Sequence, residues 1–392
     1  MRLAIFTPFL YPFHVDMLIT MKGRIEAKLF TCGTYGNYPF EHLLKWAEML
    51  KCADLAGHKI IGLPGLIKFI HYRPHVVIIF GIESLAGLMI YFMSSLIRAK
   101  TLVVVEENNI TRLNNIIFEL LQIIKRSVVR LVYSRSFILV AESSASKRYV
   151  LDILRVKRKK PIVVRVHGID VDRFGALISM PMKQAKKILQ KVLMLPESLL
   201  DKRWCTFIGE PSYYKGADVL LDAIEILQKT LKPRARTIFL LPKTRLLHDR
   251  GELREQYKRK IVRLMADGFV VLYDHLEPEK MPLLYRASDV IVLPSRFLNY
   301  ASSDRSPNVA LEALASGALL VASYVGGIST IVGNAAVLVR PNDPLALAIK
   351  LQQVLENYEK YEYLGMEARN RALSELDIKH YVRDLLSYLK LG

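Results

Sequence analysis

Short runs of apolar, largely β-branched residues recur along the chain, at 3–6, 76–80, 101–105, 137–141 and 162–166. A second series follows at 206–209, 237–241, 270–273, 290–293 and 319–322. Near-continuous apolar runs of this length predict strands buried on both faces, which is the condition of a parallel sheet covered by helices. Between them lie stretches of helical periodicity: 40–55, 84–97, 112–135, a start near Glu142–Ser146, a helix from Ala217, then 248–266, 281–287, 307–316, 344–358 and 376–390. Strands alternating with helices predict an α/β protein. The apolar stretch 76–97 is long enough to cross a bilayer, but Gly81 and Glu83 divide it where a strand would turn into a helix. It reads as strand, turn and helix.

The most informative stretch begins at Asp289. Residues 290–293 form a strand ended by Pro294-Ser295; a polar loop follows, with Asn299, Ser302, Ser303, Asp304 and Arg305. Ser306 is placed to cap a helix, Pro307 suits its first turn, and Gly317 its C′ position. Glu312 is expected about two turns into that helix, leaning back toward its start. Two carboxylates flanking free helix-terminal N–H groups match a sugar nucleotide, which needs acceptors for its hydroxyls and donors for its diphosphate. The same two acids also fit a solvated helix face, and spacing alone leaves both readings open.

A length of 392 residues implies two domains, and 52% hydrophobic content with 17 prolines excludes a disordered chain. Lys and Arg exceed Asp and Glu by 56 to 37. Residues 1–175 carry 25 basic and 13 acidic residues, a net of +12, and the remaining 31 and 24 give +7. Anionic partners follow: nucleotide phosphates or an acidic membrane surface. Nucleic acid ranks last, since no aromatic-studded basic motif, zinc spacing or helix-turn-helix signal is present. Residues 112–135 combine a broad apolar surface with Arg112, Lys125, Arg126, Arg130 and Arg135. Such a helix either lies on an acidic membrane surface or is a buried helix with basic ends. Cys32, Cys52 and Cys205 are odd in number and share no CxxC spacing, which fits unpaired thiols in a reducing, cytoplasmic setting, peripheral to a membrane if the helix docks there. The first residues read as a strand rather than a signal peptide, because Pro8 breaks the apolar run.

Pro294-Ser295, Asp304, Ser306-Pro307-Asn308, Glu312-Ala313, Gly317 and Ala322-Ser-Tyr-Val-Gly-Gly327 together resemble the signature of retaining GT-B-fold glycosyltransferases of the family 4 type. Members of that family carry two glutamates separated by seven residues in a similar strand, loop and helix, and Asp304 and Glu312 stand at the two positions. The likeness covers most of 205–345. It implies two Rossmann-like domains facing a cleft, with acceptor on the N-terminal side and nucleotide-sugar donor on the C-terminal side. The implied boundaries are 1–174, a linker and insertion at 175–204, a donor domain at 205–374, and a helix at 375–392 returning to the first domain. Asp304, Glu312 and Lys215 would carry catalysis, and Gly209, Gly216, Ser306, Pro307, Asn308 and Val309 would hold the donor. His14, Glu106 and Glu107 would face a sugar, lipid or glycan acceptor. No cofactor or metal would be needed, the nucleotide-sugar being a co-substrate.

The chain departs from the family at several points. No Gly-Gly pair follows the first strand, and Glu106-Glu107 stand where relatives often have a histidine. His167 replaces an asparagine in Val166-His-Gly-Ile-Asp170, and His75 an aspartate in Pro74-His-Val-Val. Asp170-Val-Asp172 mimics a metal motif but reads better as a turn between domains. Glu210 stands where relatives place a phosphate-clamping arginine, so either Glu210 points away and another base such as Arg305 or Arg296 takes that charge, or the donor is bound differently. A degenerate nucleotide- or membrane-binding protein and a sugar-nucleotide epimerase are the alternatives these departures leave open.

Overall fold

The computed structural model describes the chain except residues 23, 34–46, 56–57, 106–115, 158, 160–161, 210–212, 232–235, 244–251, 275, 298–306 and 391–392. Its contacts divide the chain into two units, which exchange at Gly168–Ile169 and again at Asp377–Ile378.

In the first unit the strands are β1 (Arg2–Thr7), β2 (Glu26–Thr31), β3 (Glu48–Met49), β4 (Cys52–Leu55), β5 (His58–Ile61), β6 (Val76–Ile79), β7 (Lys100–Val105), β8 (Ile138–Ala141) and β9 (Ile162–Val164). All but β4 and β5 form one parallel sheet in the order β3-β2-β1-β6-β7-β8-β9. The pleat explains the continuous apolar runs. Ala4, Phe6, Val77, Ile79, Val103 and Val105 belong to the core on one face. Leu3, Ile5, Val76, Ile78, Leu102 and Val104 belong to the core on the other. Each fully buried Leu, Ile or Val contributes about 1.5–3 kcal/mol. The last helix, Ile378–Lys390, places Tyr381, Val382 and Leu385 in the second of these cores, so it is part of the first unit. Gly168 allows this return: a side chain there would overlap the backbone of Ile378.

The stretch 76–97 is strand β6, a turn and the helix Leu85–Leu96, capped by Ser84. No described helix is long and apolar enough to cross a membrane. The helix expected at 40–55 is corrected where it is described. Glu48–Met49 joins the sheet edge, and Cys52–Leu55 pairs antiparallel with β5. Here tertiary partners outweigh local periodicity. Glu48 is held by Lys28 at 2.9 Å and by Lys68, which keep its carboxyl below the usual range, Lys68 contributing more. The reading of unpaired cysteines is also corrected: Cys32 and Cys52 are joined as a disulfide, and Cys205 is the free, buried thiol. The sheet brings the end of β2 beside β4, a proximity that sequence spacing does not encode.

The second unit holds β10 (Arg203–Phe207), β11 (Thr237–Pro242), β12 (Val270–Tyr273), β13 (Val290–Leu293), β14 (Leu320–Ser323) and β15 (Val337–Val339). They form a parallel sheet ordered β12-β11-β10-β13-β14-β15. The segment 175–204, read as a linker and insertion, lies inside this unit. Its helix Met182–Val192 packs on the helix Met281–Ala287 and delivers Lys186 to Asp289 at the foot of β13. Asp289 is 1% exposed and receives Lys186 Nζ at 2.5 Å, Arg203 at 2.9 Å and the Trp204 N–H at 2.7 Å. Such a carboxylate is tolerable in the interior only because every side of it is answered.

Asp289→Ala leaves Lys186 buried without its counter-charge and is expected to destabilise the second unit by about 3–5 kcal/mol. Urea unfolding followed by Trp204 fluorescence checks it; an unchanged midpoint contradicts the reading.

Candidate active site

The chain runs outward from β10 through β11 to β12, then restarts on the other side of β10 with β13, β14 and β15. The strand order therefore reverses between β10 and β13, which lie side by side with Cys205 opposite Val290 and Phe207 opposite Val292. In open parallel sheets a crevice forms at the carboxyl ends of the strands at such a reversal, because the flanking helices go to opposite faces. The loops leaving β10 and β13 carry the residues that the sequence singles out.

After β10 the backbone turns at Gly209, φ +111°, and a short turn of 3₁₀ helix, Tyr213–Lys215, leads to Gly216. Gly216 has φ +69° and precedes the helix Ala217–Ile226. A Cβ at Gly216 would overlap the carbonyl oxygen of Pro294, which directly follows β13. The Arg296 N–H donates to the Tyr214 carbonyl at 2.8 Å, and the Arg296 guanidinium grips Asp218 in the first turn of that helix. The two loops are thus tied by backbone contact and by a mostly buried ion pair. Lys215, half-buried on this turn, has its ammonium 5.4 Å from the Tyr214 ring centroid.

Arg296 is consequently engaged, and the expectation that it replaces the missing phosphate clamp is corrected: its fork is spent on Asp218. Arg305 and Glu210 lie outside the described residues, as do Asp304, Ser306, Glu106 and Glu107.

The helix after β13 is Asn308–Ala315. Pro307 precedes it as N-cap, φ −69° and ψ 119°, rather than occupying its first turn, because its extended ψ delays the helix by one residue. Glu312 therefore stands about one turn inside the helix, not two. Gly317 takes φ +65° just past the helix end, as a C′ glycine does. Asn308 is exposed and Val309 is 9% exposed, so the first helical residues differ in access. Glu312 accepts the Tyr285 hydroxyl at 2.7 Å. Tyr285 is buried and its pKa is raised well above the usual tyrosine value, by burial first and by Glu312 second. It stays a protonated donor at any ordinary pH and fixes the Glu312 carboxylate. Neither Tyr285 nor the Asp218–Arg296 pair is marked in the sequence, since partners 27 and 78 residues apart leave no local signal.

In the first unit the order reverses between β1 and β6. His14 follows β1, within the helix Pro12–Met21, where Pro12 occupies the first turn. It is fully buried, and its Nδ1 accepts the Tyr11 N–H at 3.1 Å. Burial, then the nearby His167, push its pKa well below the ordinary value, so the ring is neutral at pH 7. Phe13 stacks on His167 at 4.6 Å, and His167 contacts Glu142 at 3.2 Å; all three lie near the same end of the sheet. Asp170 caps the helix Val171–Gly175 by accepting the Arg173 N–H at 3.0 Å, which explains the Asp-Val-Asp triplet as a turn. Among the described residues no group of three or more histidine, cysteine or acidic side chains is arranged to hold a metal.

Residues 196–371 match the family model described as glycosyl transferases group 1. The chain is 27% identical over 234 residues to a D-inositol 3-phosphate glycosyltransferase of Corynebacterium efficiens, a match covering 56% of this chain and 52% of that protein. It is 32% identical over 178 residues to a glycogen synthase of Mycobacterium tuberculosis, covering 44% and 38%. The chain thus spans about half or less of the length of these relatives. In fold it is similar to the Anabaena protein HepE, solved in complex with UDP, with a TM-score of 0.75, 16% identity and 100% of both chains covered.

Gly216→Ala forces a side chain into a left-handed backbone and against Pro294, and is expected to cost about 2 kcal/mol or more. Thermal unfolding measures it; a melting temperature equal to that of the parent protein contradicts the close approach.

Proposed function

We propose that this chain, whose residues 196–371 match the glycosyl transferases group 1 model, transfers a hexose-type sugar from a nucleotide-sugar donor to an acceptor hydroxyl, with retention at the anomeric carbon and without a metal ion. The observation that carries the reading is the placement of Lys215 on the turn after β10 and of Glu312 in the helix after β13, the two strands between which the second sheet reverses order. A uridine diphosphate sugar is the first donor to test, since the fold neighbour HepE was solved with UDP.

In this scheme the bond between the anomeric carbon and the diphosphate oxygen breaks, and the acceptor oxygen forms the new bond on the same face. The acceptor proton leaves with a diphosphate oxygen. Lys215 neutralises the negative charge that grows on the departing diphosphate, aided by the N–H groups at the start of the helix Asn308–Ala315. Glu312, held by Tyr285, accepts from the ribose hydroxyls. Asp304 is assigned to the sugar, where its carboxylate would stabilise positive charge near the anomeric carbon. The lysine and helix-terminal donors supply the stabilisation that a divalent cation would otherwise provide. The first unit is assigned the acceptor, a sugar, lipid or glycan, with Glu106 and Glu107 toward it; His14, expected on the acceptor side, is fully buried and is left with a supporting place behind it, and a peripheral position at an acidic membrane is part of the same proposal.

One observation favours a second reading. Glu210 reverses the charge that relatives place beside the diphosphate, which suits a protein that binds a nucleotide without turnover. Substitution separates the two.

Lys215→Ala and Glu312→Ala are each expected to lower transfer by about 10²–10³-fold, while transfer by the parent protein continues in EDTA. Radiolabelled donor and chromatography of products measure both; strict metal dependence, or unchanged turnover in Glu312→Ala, contradicts the proposal. Binding of the correct nucleotide at a hundred times its Kd raises stability by about 2.7 kcal/mol, which a thermal screen of UDP-, GDP- and ADP-sugars detects.

A further inference from the structure

At the opposite end of the first sheet, at the amino ends of β1, β6 and β7, lies a hollow of about 650 Å³. Arg2, Arg73, His75, Arg98 and Lys100 line it, with Leu389 of the last helix among its apolar walls. No lining residue is acidic; Glu26, in register with Arg2 on β2, stands outside it. Four fixed positive charges therefore converge on one cavity whose size falls within the usual range for small-molecule sites. Arg73, Arg98 and Lys100 are solvent-exposed, so water and salt screen most of their mutual repulsion, and an anion among them would relieve what remains.

The backbone adds an independent observation. Arg73 ends the helix Leu63–Tyr72 at φ +49°, and Arg98 follows the helix Leu85–Leu96 at φ +58°. Helices favour glycine at such left-handed ends, because a Cβ is strained there. At both helix ends that meet this hollow the left-handed position carries an arginine instead. His75 is also oriented: its Nδ1 accepts the Arg2 N–H at 3.0 Å, which leaves Nε2 as the donor.

We propose that this hollow binds a phosphate-bearing anion, at a site separate from the carboxyl ends of either sheet. Planar guanidinium forks from Arg73 and Arg98 match phosphate oxygens in pairs, and Lys100 and Arg2 add charge. The apolar walls accommodate the organic part of a phosphate ester. The phosphate belongs either to a soluble metabolite or to a lipid headgroup.

The test uses the full chain with Lys215→Ala, which removes the other cationic candidate site, and inorganic pyrophosphate as the soluble probe in calorimetry. Phosphatidylcholine vesicles with and without phosphatidic acid serve as the lipid probe. Arg73→Gly with Arg98→Gly keeps the left-handed backbone without steric cost, so the fold is retained while both forks are lost; Lys100→Gln is a second, milder variant. Pyrophosphate binding that weakens at least about tenfold in the glycine pair supports the site with a soluble ligand. Binding only to vesicles containing phosphatidic acid, lost in the same pair, supports it with a headgroup. Neither probe binding, or binding that the substitutions leave unchanged, overturns it.

Discussion

At Gly216 the loop leaving β10 lies so close to the Pro294 carbonyl, at the exit of β13, that no side chain fits between them. The rest of the candidate site depends on this approach. It exists because β10 and β13 are neighbours at the reversal of strand order, and because the left-handed φ of Gly216 is open to glycine without strain. Arg296 and Asp218 then hold the two loops together with a bidentate pair that is largely shielded from water. A charge pair in that position is worth more than a surface one, and its loss would leave a mostly buried charge. Lys215 takes its place from this junction, on the short turn that precedes Gly216.

The same sheet is supported from its other end. Asp289 gathers Lys186, Arg203 and the Trp204 N–H beneath β13, so the strand that leads to the site is pinned at its start. Cys205, fully buried beside this cluster, has its thiol pKa pushed up, chiefly by burial, and acts as a small apolar group. Glu312 is positioned from a third direction, by a tyrosine on the helix that precedes β13. The carboxylate is therefore oriented by the protein itself, which is the kind of preorganisation that the proposed transfer would need.

The two ends of the first sheet differ in character. Its carboxyl end gathers aromatic and titratable side chains in the interior, with His14 neutral and enclosed and Phe13 stacked on His167. Its amino end is open and cationic, bounded by two arginines held in left-handed backbone. The excess of basic residues in the first half of the chain is thus partly a local feature of one cavity rather than a uniform coat.

Local patterns in the sequence were sufficient for elements whose signal lies within a few residues. The run Val290–Leu293, the C′ glycine at 317, the division of 76–97 by Gly81 and Glu83, and the Asp170 turn all follow from near neighbours. So does the α/β character, since apolar runs buried on both faces leave no other sheet type. Tertiary structure alone decided what depends on partners far apart in the chain. It placed 48–49 and 52–55 in strands, joined Cys32 to Cys52, and spent Arg296 on Asp218. It also set Tyr285 against Glu312 and brought Arg2, Arg73 and Arg98 around one hollow. The physical reason is one of range. Backbone preferences act over a turn or two, whereas ion pairs, disulfides and buried hydrogen bonds are selected only after the sheets have fixed which distant residues meet.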